Sequence, residues 1–506
     1  MKKIQIFAMA ALVALGLASC TKEQNGAPAA GTEGGKARLM LSFKLPAQAT
    51  RANDGDQIAA TPAENTVKTV EVFVFTAAGD PAAVGAYTSF SDLSSFLYTD
   101  TTPADGIADD GKYTLDPAKA IQTLSGAKII YVGINSSLGA CASQSELLAK
   151  LAAVSAMDVA NNFTMFTDAA SANLLAYDYN SGTEQAPYVN TVTMNINRVV
   201  AKVAASSSAP TYTTVWPATG ATDAYLHMVY TVKDYRVIQG AIKSYVAPNY
   251  WSMGAAKTYV NSVATLPGDV FNPFATDAGV TATSIKTDGN PTDAAAIAAL
   301  AATYTGENYP FNTAGTAPLA LNMNTTYAII ATTVLCDAEA SWDATTSSVK
   351  WTTVTPYGGG VSGSDVFMVV GPDKKNYVCA SQTAASDLAN GLFNNDLVAA
   401  AGSIYTYYWG YVHFPAYLNK KGLNDYEIAR NQFAHIKING VTEKENLFPG
   451  YPGDPGDPTK PTDPQDPTNP DPLVPTDPVD GSPAYLNVQV TVMPWVYKGN
   501  DITLGN

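Results

Sequence analysis

Few side chains in this 506-residue sequence have the type and spacing for chemistry, and two of them stand near its N-terminal end. Cys20 closes the run Leu17-Ala18-Ser19-Cys20. Small residues directly before a cysteine match a lipobox, in which the thiol takes up a diacylglycerol and becomes the new N-terminus after cleavage. Arg51 stands alone among the small and polar residues from Pro46 to Asp56. A flexible segment of that kind offers its Arg51–Ala52 bond to a trypsin-like protease.

Elsewhere the usual catalytic patterns are missing. The three histidines, His227, His413 and His435, lie in apolar strand-like stretches, and none has the spacing of a metal site. There is no GxSxG and no P-loop. The glycine-rich run from Gly358 to Asp365 lacks a following helix and reads as a loop. Asp54-Gly55-Asp56 and Asp109-Asp110-Gly111 serve as turns without needing an ion. Cys141, Cys336 and Cys379 form no CxxC. They read as small buried thiols, with one disulfide as the alternative. No catalytic residue, metal or cofactor is assigned, and the chain is read as a non-enzyme. Tyr405, Tyr407, Tyr408, Trp409 and Tyr411 form an aromatic cluster that serves either sheet packing or a stacked glycan.

Composition narrows the class. Charged residues make up only 14% of the chain, the net charge is −15, and no Lys/Arg run exceeds a pair, so a nucleic-acid partner is not expected.

The elements that position Cys20 and Arg51 follow from hydropathy. Lys2 and Lys3 precede an apolar run, Ile4 to Ala18. It is shorter than the ~20 residues of a membrane-spanning helix, so residues 1–19 read as a lipoprotein signal peptide. Residues 20–51 read as a propeptide that holds a strand. In Ala37–Leu45, Leu39, Leu41, Phe43 and Leu45 point one way, and Arg38, Met40, Ser42 and Lys44 the other. A cut after Arg51 makes that strand removable.

The body reads as mainly β. Val67–Phe75 and Lys128–Asn135 are strands. Ser143-Gln144-Ser145-Glu146 has capping-box spacing before a short helix, and Asp293–Thr303 and Ser386–Phe393 read as further helical insertions. A second half begins near Tyr188. Val192, Met194 and Ile196 alternate, then Val199, Ala201 and Val203 alternate in the opposite phase, which predicts a bulge near Arg198. Leu226–Ile238, Thr326–Val334, Val366–Val370, Ile404–Phe414 and Tyr426–Ile438 complete the strands. Two tandem β-sandwich domains are expected, at 52–187 and 188–448.

Residues 449–483 are Pro- and Asp-rich, with proline at every third position from 449 to 470. Polyproline II has three residues per turn, so the linker is expected to be a rod of about 100 Å if fully extended. Residues 484–506 then carry one more strand, with Leu486, Val488, Val490 and Val492 on one face. A lone apolar strand needs a partner for its backbone and its apolar face. It either folds back onto its own sandwich or reaches another molecule by β-augmentation. Its alternation matches that of Leu39 to Leu45. A neighbour's strand entering the groove left by the first strand would bury four apolar side chains, worth about 6–12 kcal/mol before entropy costs. Repeated head to tail, such a contact does not close and yields a filament.

With these pieces in place, the chain resembles the fimbrillin major-subunit family of Bacteroidales, the type V pilins. The resemblance is carried by the lipobox at Cys20, the strand and loop ending at Arg51, and VEVFVFTAAGD at 70–80. Also in order are KIIYVGIN at 128–135, NRVVAKV at 197–203, YEIARNQFAHIKING at 426–440 and VQVTVMPW at 488–495. Phe433 stands where that family often has a tyrosine. The resemblance implies two transthyretin-like sandwich domains and export as an outer-membrane lipoprotein. It further implies cleavage by an arginine-specific protease at Arg51 and donor-strand polymerisation of copies of itself into an extracellular adhesive fimbria. Accessory anchor and tip subunits and a host or bacterial receptor would be its other partners. The alternatives are an anchor or tip subunit, or a glycan-binding surface lipoprotein that uses the aromatic cluster.

Overall fold

The computed structural model describes residues 34–44, 58–99, 112–176, 189–216, 226–241, 243–248, 250–253, 256–259, 281–308, 325–418, 420–422, 425–426, 428–441, 450–462 and 486–496. The signal peptide, Cys20, Leu45, Arg51 and Ala52 lie outside the described residues, as does the linker from 463 to 485.

Strands dominate because β-branched and aromatic residues alternate through most of the chain. A ten-stranded sheet takes every described strand between Lys36 and Arg198 except two short ones. One strand, Val189–Arg198, joins its two lobes. Its residues 189–195 run parallel to Arg38–Lys44, and its last three pair antiparallel with Met165–Thr167. In the other lobe Val70–Thr76 pairs with Gly126–Ile134. Leu41, Phe43, Val72, Val132, Met165 and Ile196 share the first core.

The second core lies between a five-stranded sheet and a seven-stranded one. The first of these contains Ala201–Ser207, Gln432–Val441 and the last strand, Leu486–Val496. The other is built on Leu226–Ile238, Tyr327–Asp343 and Tyr411–Tyr417. Val203, Ile436, Tyr230, Ile330 and Phe414 meet between them. Ala204, on the opposite face of its strand from Val203, belongs to the first core, so the two cores share a wall there.

Four expectations change in three dimensions. The second half was expected from residue 188, yet Val189–Arg198 is hydrogen-bonded into the first sheet. The phase switch near Arg198 is a change of sheet, not a bulge. Arg198 ends one strand, Val199 and Val200 bend inside the first core, and Ala201 opens a strand in the next sheet. The expected helix Asp293–Thr303 stops at Ala298, because Ala302–Thr305 is recruited to pair with Ala201–Ala204. Finally, the start of the Pro/Asp-rich linker is not a free rod. Tyr451–Pro452 pairs with Val412–His413, and Gly453 bridges to Pro461. Arg236 Nη1 donates to Thr459 O at 2.7 Å, and Tyr451 is buried. Packing against a sheet edge outweighs the polyproline preference over residues 450–462.

Among the described residues no helix is long and apolar enough to cross a membrane. Cys141, Cys336 and Cys379 are free thiols.

Candidate functional site

The candidate site is the first strand, Lys36–Lys44, and the groove that holds it. On one side Arg38–Lys44 runs parallel to residues 189–195. On the other, Lys36–Leu39 pairs antiparallel with Ile121–Leu124, and Ser42–Phe43 with Tyr113–Thr114. The ladder continues upstream: Gly34 N–H donates to Ser125 O (3.2 Å) and Ser125 N–H to Gly35 O (2.8 Å). A strand paired on both sides has most of its backbone groups satisfied only while it stays in place.

Leu39, Leu41 and Phe43 are fully buried, as their alternation predicts. Phe43 lies between Phe96, edge-on at 5.1 Å, and Tyr113, stacked at 5.8 Å. The opposite face is covered at mid-strand as well. Met40 and Ser42 are also buried, and the Ser42 hydroxyl meets Thr114 Oγ1 at 3.2 Å. Burying Leu39, Met40, Leu41 and Phe43 is worth about 6–12 kcal/mol, so the seat is deep.

Asn190 clamps this strand. Its Nδ2 donates to Arg38 O (3.1 Å) and Leu175 O (3.0 Å), and its Oδ1 accepts from Leu175 N–H (2.8 Å). Asn190→Ala should cost about 1–2 kcal/mol. Amide exchange should then quicken at residues 36–39 while the other lobe keeps its protection.

The segment that follows Arg51 is anchored separately. Ile58–Ala59 pairs with the last strand, and a short helix, Pro62–Asn65, carries Glu64 into the interior. Glu64 is 2% exposed. Lys202 Nζ (2.9 Å) and the Tyr304 hydroxyl both donate to its Oε1, and the Thr61 N–H donates to Oε2 at 2.7 Å. Burial alone would push this carboxyl up. The Lys202 charge and the hydrogen bonds from Tyr304, Lys202 and Thr61 outweigh burial and hold it below its ordinary value. Arg198 donates to Glu64 O, Asn65 Oδ1 and Asn431 Oδ1, and Arg430 pairs with Glu307 beneath the same wall. Lys202 also stands 5.5 Å from the centre of the Phe433 ring. The individual roles of these residues were not read from sequence. The available signal was a charge inside an apolar strand, in NRVVAKV and in YEIARNQF, where burial demands a partner.

The last strand is placed within its own chain. It runs antiparallel to Gln432–Val441, with Val490 opposite Ile436 and Val488 opposite Ile438. Its end, Trp495–Val496, runs parallel to Ile58–Ala59. Leu486 and Val492 stand opposite Val441 and Ala434. The strand therefore occupies the fold-back position, paired along one side and over only two residues on the other.

Of the aromatic cluster only Tyr407 is fully a packing residue. Tyr407 is buried and its hydroxyl donates to Gly450 O at 3.1 Å, and Tyr411 stacks on His413 at 6.2 Å. Tyr405, Tyr408 and Trp409 keep part of their surface exposed. His435 Nε2 lies 2.8 Å from Ser206 Oγ, a base-and-hydroxyl pair. Both residues are fully buried and His435 Nδ1 has no partner, so no substrate reaches the pair and nothing orients the ring as a base. Among the described residues no cluster of three metal-ligating side chains occurs.

Comparison with known proteins returns structural neighbours only: no family model and no curated protein matches the chain. A proposed cell adhesion protein from Parabacteroides distasonis is similar in structure, at 14% identity and a TM-score of 0.45, over 91% of this chain and 98% of that one. A fimbrilin from Porphyromonas gingivalis matches at 15% identity and a TM-score of 0.38, over 91% and 98%. The tip fimbrial protein Mfa3 from Porphyromonas gingivalis matches at 10% identity and a TM-score of 0.35, over 91% and 100%.

Proposed function

We propose that this protein is a structural shaft subunit of an adhesive fimbria. It is exported as a lipoprotein through Cys20, cut after Arg51, and polymerised head to tail by donor-strand exchange. The observation that carries this reading is the double-sided seat of the first strand. Before the cut, Lys36–Lys44 is continuous with the rest of the chain through residues 45–57, which contain Arg51. Once cut there, its departure is no longer reversed by a covalent tether, and it leaves a groove with two open ladders and the seats of Leu39, Leu41 and Phe43. The anchored Glu64 segment stays with the body.

The same geometry supports a direction for exchange. In its own chain the last strand is paired mainly on one side. In a neighbour's vacated groove it is paired on both. The gain in ladder and apolar contact offsets the ordering of a tether whose 23 residues, 463–485, span up to about 70 Å.

Incubation of the precursor with an arginine-specific protease tests this. The expected result is a mature N-terminus at Ala52, followed by a ladder of higher masses. A chain truncated before Ala484 should be cut equally well and remain monomeric. If the truncated chain also forms fibres, strand donation by the C-terminus is refuted.

A further inference from the structure

Strand exchange leaves open how the donor is positioned along the groove, because simple alternation fits every two-residue shift equally well. The upstream end of the groove supplies a steric gauge. A Cβ placed on Gly34 would lie 2.6 Å from Ser125 Oγ. Ser125 is fully buried and its hydroxyl makes no hydrogen bond. Three residues on, Ala37 is 1% exposed and pairs with Thr123, itself buried. A side chain at the first of these positions therefore requires the Ser125 hydroxyl to turn away, and the buried second position seats a methyl group.

The C-terminal sequence carries the same spacing. With Leu486 set on Leu39, Gly481 falls on Gly34 and Ala484 on Ala37. Val488, Val490 and Val492 then fall on Leu41, Phe43 and Leu45, and Thr491 on Lys44. Gln489 takes the place of Ser42, within reach of Thr114. Ser482 and Pro483 fall on Gly35 and Lys36, ahead of the parallel neighbour that begins at Arg38, where the strand is paired on one side only. A shift of two residues one way brings Val479 to Gly34, and the other way brings Pro483 there and Leu486 onto Ala37. The first shift crowds the Ser125 hydroxyl and leaves the fully buried Leu39 seat to Ala484, and the second overfills the Ala37 seat with a leucine.

We infer that Gly481 and Ala484 are register-determining residues. They seat the donor of one copy in the groove of the next with Leu486 in the place of Leu39, parallel to residues 189–195 and antiparallel to residues 121–124. This rests on the strand-exchange reading and specifies it. The donor thus replaces the first strand residue for residue, and its tether enters at the Ser125 end.

Cross-linking between copies reads the register directly. A full chain carrying Thr123→Cys and Ala484→Cys, cut at Arg51 and mildly oxidised, should give ladders that resist denaturant and collapse on reduction. Thr123 Oγ1 has no hydrogen-bond partner, so that cysteine removes no bond. Thr123→Cys with Asn487→Cys should give no covalent ladder. Ala484→Leu should lower ladder yield about tenfold, with the rate of cleavage at Arg51 unchanged. The register is overturned, with assembly intact, if non-covalent ladders form but the Ala484 pair does not link, or if the Asn487 pair links equally. If the unmodified chain is cut and forms no ladder, the strand-exchange reading falls and the register falls with it.

Discussion

Acidification from about pH 7 to about pH 4.5 should cost the fold about 5 kcal/mol through two histidines alone. His413 and His435 are fully buried. Burial, aided by the Arg236 charge, pulls His413 from 6.5 down to about 3. Burial and the Lys437 charge pull His435 down to about 4. Both folded values lie below the unfolded one, so the unfolded chain binds more protons throughout the interval. Stability is therefore fully present above about pH 6.5 and is lost as the pH falls toward the folded values. Each histidine contributes about 2.5 kcal/mol of that loss by pH 4.5. Glu64, held below 4.5, acts in the same sense only at more acid pH. Asp158 and Asp234, whose carboxyls burial pushes up, act in the opposite sense and temper the slope. Urea unfolding at the two pH values measures the effect, and a His413→Gln, His435→Gln chain should show a clearly flatter profile. An unchanged slope in that variant would mean that the histidines are not the source.

The second large effect is expected at the wall between the cores. Lys202→Met should destabilise the protein by about 3–5 kcal/mol, because it strands the Glu64 carboxylate without its counter-charge in a site that water does not reach. Glu64 and Lys202 have side chains only 3% and 2% exposed, and they meet at 2.9 Å. Adding Glu64→Gln to Lys202→Met should restore most of the loss, since a neutral amide can still accept from Tyr304. Non-additivity of that size is the signature of a buried pair rather than of two independent contacts. Protease susceptibility near residues 58–67 should follow the same order, because Glu64 is what holds this segment inward. Equal losses in the single and double variants would locate the instability in packing instead.

The strands themselves were legible because side-chain alternation is local. Lys36–Lys44, Val70–Thr76, Gly126–Ile134 and Leu226–Ile238 lie close to where hydropathy places them, whereas the strand expected over Tyr426–Ile438 begins only at Gln432 and runs to Val441. The match between Leu39-Leu41-Phe43 and Leu486-Val488-Val490 is likewise a property of the chain read in one dimension. So are the lone arginine at 51 and the small residues before Cys20.

What alternation cannot specify is the neighbour. Whether Arg198 marks a bulge or a change of sheet depends on Glu64, Asn65 and Asn431, which converge on it from distant parts of the chain. Proline periodicity describes residues 450–462 in isolation, but an open sheet edge at Val412–His413 and a donor at Arg236 fold them down. Met40 and Ser42 are buried along with Leu39, Leu41 and Phe43, because residues distant in the chain pack over both faces of the first strand. Local periodicity is encoded residue by residue, whereas burial and pairing are long-range and exist only once the sheets have closed. The amino-acid order therefore determined where most strands lie and that the last of them repeats the alternation of the first. The tertiary structure alone decided which strand is seated deeply and paired along both edges.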